Sequence, residues 1–260
     1  MNLAGSYGLP AADVTREFYF NVGGPHGFMR WGIYIFMFIS MFYLIYTVVK
    51  KVLIWRQGKP QLRTDYPEKR LIAVVKYVML QAKILREQFA GIMHASIFFG
   101  FIVLFIVTLI IVVQEDFTGL FFHYHFLTGN FYLIWSLFGD LFGLIVLIGL
   151  GMAIYRRYKI KPTRLDTKGI DTFALVLLAA IIVSGFCNEA MRIAITDFPE
   201  FEVWSPVGYV LAMPFSLIGT ETLKGMHYIN WWVHMLAAFS AIGLLATDKL
   251  GHIIISTLNV

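Results

Sequence analysis

Charge is scarce in this 260-residue chain. Asp, Glu, Lys and Arg make up 14% of it and apolar residues 58%, whereas a soluble domain carries about 25% charge. With a mean hydropathy of +0.71, the chain is excluded from the water-soluble folds and must present much of its surface to lipid. Cysteine is scarcer still: Cys187 is alone, which excludes a disulfide framework and an iron–sulfur cluster held by this chain. Cluster chemistry, if any, belongs to a partner. Most basic residues fall in the loops between the apolar runs rather than along one folded face, so nothing supports nucleic-acid binding. Residues 1–28 carry Asp13 and Glu17 and lack a basic stretch followed by a short apolar core. They read as an outer N-terminal segment before an uncleaved anchor, with no cleavable signal expected. Internal repeats and low-complexity tracts are also lacking.

What is abundant is long apolar sequence. Five stretches reach the length of about 20 residues that crosses a bilayer: Met29–Val49, Gly91–Val113, Phe131–Tyr155, Ile170–Ile193 and Trp231–Ile255. The expected fold is an all-α integral membrane protein, a bundle of five transmembrane helices. Lys and Arg set its orientation. Ten lie between Lys50 and Arg86 and six between Arg156 and Lys168, while residues 115–130 have none and residues 194–230 only Lys224. The basic loops therefore face the cytoplasm, the N-terminus lies outside and the C-terminus inside. The first basic loop suits lipid headgroups or an acidic soluble subunit. Trp204–Leu217, apolar but interrupted by Pro206 and Pro214, reads as an interfacial or re-entrant stretch.

Seven histidines, His26, His94, His123, His125, His227, His234 and His252, are the chemically telling residues. His234 and His252 are 18 residues apart, which on one helix is five turns, about 27 Å. One continuous helix would offer an imidazole at each membrane face. Imidazoles are common axial ligands of haem iron, and His94, at the cytoplasmic start of the second span, is the partner expected for His252. Gly91 and Gly251 would let a porphyrin approach the backbone. His234 needs an outer partner. A second histidine some ten residues after His94 would supply it, but that position is Leu104. His123, His125, His26 or no haem at all remain open there. His227 suits a quinone contact or a propionate, or an interfacial site in water. Asp140 lies within the third span and must be protonated, paired or beside a wet path. Glu189 and Arg192, three apart, can pair on one helix, or Arg192 can meet a haem propionate or a quinone carbonyl. Cys187 reads as a small buried apolar residue.

Together these segments resemble a known family. W-W-V-H, followed by K-L-G-H-I-I-I-S-T-L-N-V, and the junction Y-R-R-Y-K-I-K-P-T-R-L-D-T-K-G-I-D resemble the respiratory nitrate reductase gamma (cytochrome b) family. L-R-E-Q-F-A-G-I-M-H-A-S-I-F-F-G-F, V-Q-E-D-F, F-Y-L-I-W-S-L-F-G-D-L-F-G and W-S-P-V-G-Y are most similar to the membrane portion of heterodisulfide-reductase-related iron–sulfur oxidoreductases, which include the quinone-linked membrane partner of electron-transfer flavoprotein. The likeness runs from about Arg16 to Val260, making residues 29–260 a nitrate reductase gamma-like cytochrome b domain. It implies an inner haem b on His94 and His252, and His234 as ligand of an outer haem. It also implies a cysteine-rich, CCG-type iron–sulfur domain as a cytoplasmic partner subunit or fused unit.

The function expected is electron transfer between a cytoplasmic iron–sulfur partner, with electron-transfer flavoprotein behind it, and menaquinone or ubiquinone. The setting is a prokaryotic cytoplasmic membrane, crossed several times. The chain acts as a subunit rather than a complete enzyme, with Asp140, Glu189 and His227 as groups able to move protons to quinone. The rival from another class is a haem-free, quinone-binding anchor. A small transporter would need inverted repeats around a midplane site, and neither is present.

Overall fold

The computed structural model describes residues 13–23, 28–59, 65–163, 165, 168–247, 250–253 and 255. Helices joined by turns and irregular segments make up the described residues, with no strand among them. The order is α1 (Phe28–Trp55), α2 (Pro67–Val74), α3 (Gln88–Val112), α4 (Gly119–Phe122), α5 (Gly129–Tyr155), α6 (Gly169–Ile195), α7 (Pro206–Phe215) and α8 (Thr220–Leu244). A π turn at Val113–Thr118 joins α3 to α4, so that helical run is one piece from Gln88 to Phe122. Among the described residues four helices are long and apolar enough to cross a membrane: Trp31–Trp55, Gln88–Phe122, Gly129–Ile160 and Gly169–Ile195. In a medium that cannot hydrogen-bond, a helix satisfies its own backbone groups, which is why such runs adopt it.

The fifth expected span differs from what the structure contains. The helix is not Trp231–Ile255 but α8, which starts earlier, in the polar run Thr220-Glu221-Thr222, and ends at Leu244. The chain then turns: the Thr247 amide and hydroxyl both donate to the Leu244 carbonyl, at 2.8 and 2.7 Å. Threonine competes with the helix for its own carbonyls in this way. His234 and His252 therefore do not share one helix, and the five-turn argument for their alignment does not hold.

Small residues set how closely the helices approach, as expected where no hydrophobic force drives them together. On α3, a Cβ added to Gly100 would collide with Val146 of α5; from the α5 side, one on Gly149 would lie 2.9 Å from Ile97. Gly143 gives the same closeness to Phe186 of α6. α6 in turn packs on α7 and α8, and α8 on α1. Two ends result. The basic end holds α2, the C-terminal end of α5, where Arg156 meets Glu87 at 3.7 Å, and Arg157, which meets Asp171 at 3.1 Å. The opposite end is closed by residues 13–23 and α7. The N-terminal segment is stitched down by Thr15 Oγ1 donating to Leu127 O (2.8 Å), Gly129 N to Val14 O (2.9 Å) and Asn21 Nδ2 to Lys224 O (2.8 Å). The Pro-broken stretch becomes a short helix, α7, with Pro206 in its first turn, where no amide is needed.

Candidate functional site

At the basic end His94 comes from the second turn of α3, and His252 from the helical turn that follows the break after α8. Their ring centres are 6.4 Å apart, with planes inclined by 59°. The Phe98 ring lies 6.2 Å from His94, nearly parallel to it. His94 Nδ1 is 3.0 Å from Gln81 Oε1. An amide oxygen only accepts, so Nδ1 carries the proton and Nε2 keeps its lone pair. Gln81 is 2% exposed and left-handed, with φ 50°. Backbone bonds lock its turn: Leu80 N to Val75 O, Ala82 N to Lys76 O, and Ile84 N and Leu85 N to the Gln81 carbonyl. Gly91 serves packing rather than a porphyrin, because an added Cβ would lie 2.7 Å from Leu85 Cα and 2.8 Å from Ile84 O.

At the opposite end the intramembrane charges form a buried polar network. Arg192 grips Glu202 with two parallel bonds, Nη1 to Oε1 at 2.7 Å and Nη2 to Oε2 at 2.9 Å. Tyr132 donates its hydroxyl to the same Oε1 at 2.8 Å. Burial pushes the Glu202 carboxyl up, but the Arg192 charge and its hydrogen bonds, with Arg16 and the Tyr132 hydroxyl, outweigh this and hold it below the usual carboxylate range. The expected pairing of Glu189 with Arg192 is thus corrected. Arg192 is taken by Glu202, which fits its planar fork, while Glu189 meets Arg16 at 3.6 Å and accepts from Ser205 at 3.0 Å. Arg16 also lies over the Trp135 ring, 4.7 Å from its centre.

Asp140 has a definite partner. Its carboxylate accepts the amides of Val207 (2.7 Å) and Gly208 (2.9 Å), so a side chain from α5 caps the N-terminus of α7. His227 is 3% exposed rather than in water, edge-on to Phe20 at 5.5 Å. His227 Nδ1 and Arg192 Nε are buried with no hydrogen-bond partner among the described residues. Arg192 also lines a cleft of about 130 Å3 together with Arg16, Phe20 and Glu202.

His234 packs flat on α6, where a Cβ on Gly185 would sit 3.2 Å from its Cε1. Its Nδ1 is 3.0 Å from both Ile181 O and Ser184 Oγ, and Asn230 ties the same region by donating to Ser184 O at 2.8 Å. Two of its candidate partners have other surroundings. His125 is half-exposed and meets Glu115 at 3.7 Å, and His123 occupies a left-handed turn after α4. No hydrogen bond or ring contact joins either to His234 among the described residues. His26 lies outside the described residues. Cys187 is half-buried. Among the described residues no group of three or more His, Cys, Asp and Glu gathers as a metal site. Sequence reasoning passed over Gln81, Tyr132 and Glu202. Glu202 sits in the loop run F-P-E-F-E and Gln81 among the basic residues of a loop, settings that suggest solvent rather than burial.

Two curated proteins match the chain. It is 31% identical over 267 aligned positions to the EtfAB:quinone oxidoreductase of Syntrophomonas wolfei subsp. wolfei, covering 99% of the chain and 35% of that relative. It is 24% identical over 222 positions to the probable iron-sulfur-binding oxidoreductase FadF of Bacillus subtilis, covering 85% of the chain and 31% of the relative. Its relatives are oxidoreductases. The chain spans about a third of the length of the curated relatives it matches. No family model matches the chain, and no solved structure matches it.

Proposed function

We propose that this chain is the membrane electron-transfer unit of a quinone-linked oxidoreductase, a cytochrome b of the nitrate reductase gamma kind, with one haem b held between His94 and His252. The observation that carries this is the spacing of the two rings. A metal–imidazole bond of about 2.0 Å, plus about 1.1 Å from nitrogen to ring centre, would put the centres of two imidazoles sharing one metal ion up to about 6.2 Å apart. The observed value is 6.4 Å. The donor set fits as well. A porphyrin would supply the remaining ligands, so two imidazoles would suffice where a bare ion would want a larger cluster, and the Nδ1–H of His94 already has its acceptor. The haem supplies one-electron chemistry. His94 and His252 bind it from two elements, and Phe98 limits water beside His94.

The same reading makes α8 a fifth crossing. Its 25 residues span about 37 Å at helical rise, enough for a hydrocarbon core of about 30 Å. Beyond its first turns, three of its polar groups turn inward: Asn230 and His234 bond to α6, and His227 is buried. The basic end then faces the cytoplasm and an iron–sulfur partner, with electron-transfer flavoprotein as the source or sink of electrons. Quinone carbonyls accept hydrogen bonds, and the buried nitrogens without partners among the described residues, Arg192 Nε and His227 Nδ1, are the contacts this reading assigns to quinone. His234 keeps Nε2 available but has no second imidazole near it among the described residues, so the reading uses a single haem.

The test is a reduced-minus-oxidised spectrum with pyridine-haemochrome quantification on the purified protein, on His94→Ala and on His252→Ala. The expected result is about one b-type haem per chain, lost in both variants. A wild-type protein without b-type bands, as a haem-free anchor would be, refutes it; so do variants that remove different haems.

A further inference from the structure

We propose that Gln81 is a positioning residue that fixes the tautomer and orientation of the His94 imidazole and thereby tunes the potential of the haem; this rests on the haem reading above. The contact is a single one, Gln81 Oε1 to His94 Nδ1 at 3.0 Å, made by a side chain that is 2% exposed. A ligand histidine's second nitrogen controls how basic its first one is. The stronger the acceptor for Nδ1–H, the more electron density Nε2 offers to a metal and the more the oxidised metal is favoured. A neutral amide is a middling acceptor, weaker than a carboxylate and stronger than an apolar side chain.

The backbone shows that this placement is enforced. Gln81 has φ 50°, a left-handed region that is unfavourable for a residue with a side chain and survives only where the surroundings dictate it. Here they do: the turn is tied to the π-helical turn before it (Val75–Met79) by Leu80 N and Ala82 N, and to the 3-10 turn after it (Ile84–Arg86) by Ile84 N and Leu85 N. Gly91 then lets α3 start directly beneath Ile84 and Leu85, holding His94 in register with the amide. His234 has no such adjustable partner, since its Nδ1 contacts are a backbone carbonyl and a serine hydroxyl.

The deciding experiment is a redox titration, monitored by haem absorbance, of the wild type, Gln81→Glu and Gln81→Met, with haem per chain and the low-spin electron paramagnetic resonance signal recorded on each. The expected result is a midpoint shifted below wild type in the Glu variant and above it in the Met variant. Haem content stays constant and the resonance positions move with the potential. A haem-loaded protein in which both variants titrate like wild type, or move in the same direction, overturns the role of Gln81. Should Gln81→Met fail to accumulate, the isosteric Glu variant decides alone: a lowered midpoint supports the assignment and an unchanged or raised one overturns it. A wild-type protein that binds no haem refutes the underlying reading instead, so the two failures are distinguishable.

Discussion

Arg192→Met is the substitution whose consequence the structure fixes most tightly. Arg192 and Glu202 meet through bonds of 2.7 and 2.9 Å, with side chains 7% and 1% exposed. Methionine is of similar reach and apolar, so packing is largely kept while Glu202 loses its charge partner. Tyr132 still donates one hydrogen bond and the Arg16 charge still acts on the carboxylate, but neither replaces the paired bonds of the guanidinium. Breaking one side of such a pair costs about 3–5 kcal/mol, or about 6–20 °C in midpoint temperature for a chain of this size. Thermal unfolding in detergent, followed by tryptophan emission from Trp135 and Trp204 beside the network, reads it directly. The double variant Arg192→Met/Glu202→Gln removes both charges together and should recover about 2–3 kcal/mol as coupling. Additivity of the two single variants to within about 0.5 kcal/mol would refute the reasoning, because it would mean that the two side chains do not depend on each other.

Asp140→Ala removes both acceptors from the first turn of α7 and should cost about 1–3 kcal/mol, with faster proteolysis between Pro199 and Ser205; Asp140→Asn, which keeps one acceptor oxygen, should cost less. Acid should loosen the same end. The folded Glu202 carboxyl lies below its ordinary 4.5, so its contribution is complete above that pH and drains away as the pH falls through the folded value. The midpoint temperature should therefore drop more steeply on going from about pH 5 to about pH 3 in wild type than in Glu202→Gln, and equal slopes would contradict it.

Much of this fold was legible because lipid is an unforgiving solvent. α3, α5 and α6 stand within a few residues of where their apolar runs placed them. α8 was misplaced for the converse reason. Residues that bond inward, such as Asn230 to Ser184 and Asn188, count as polar in a linear reading although they never meet lipid. His94 and His252 do meet, but through a turn after Leu244 rather than along the straight helix that the 18-residue interval suggested. The Arg192–Glu202 grip was illegible, since a neighbour three positions away offered an equally good carboxylate in Glu189. Only the tertiary path, which brings the Glu200–Trp204 turn under α6, decides between them.

The stitching of residues 13–23 has a consequence for how the molecule assembles. Thr15 bonds to a carbonyl 112 positions further along the chain and Asn21 to one 203 positions further, so neither acceptor exists when the segment leaves the ribosome. Contacts that close such large loops form late. Residues 13–23, synthesised before α5 and α8, are thus seated after them, and act as a clasp that records whether Leu127 and Lys224 are already in place.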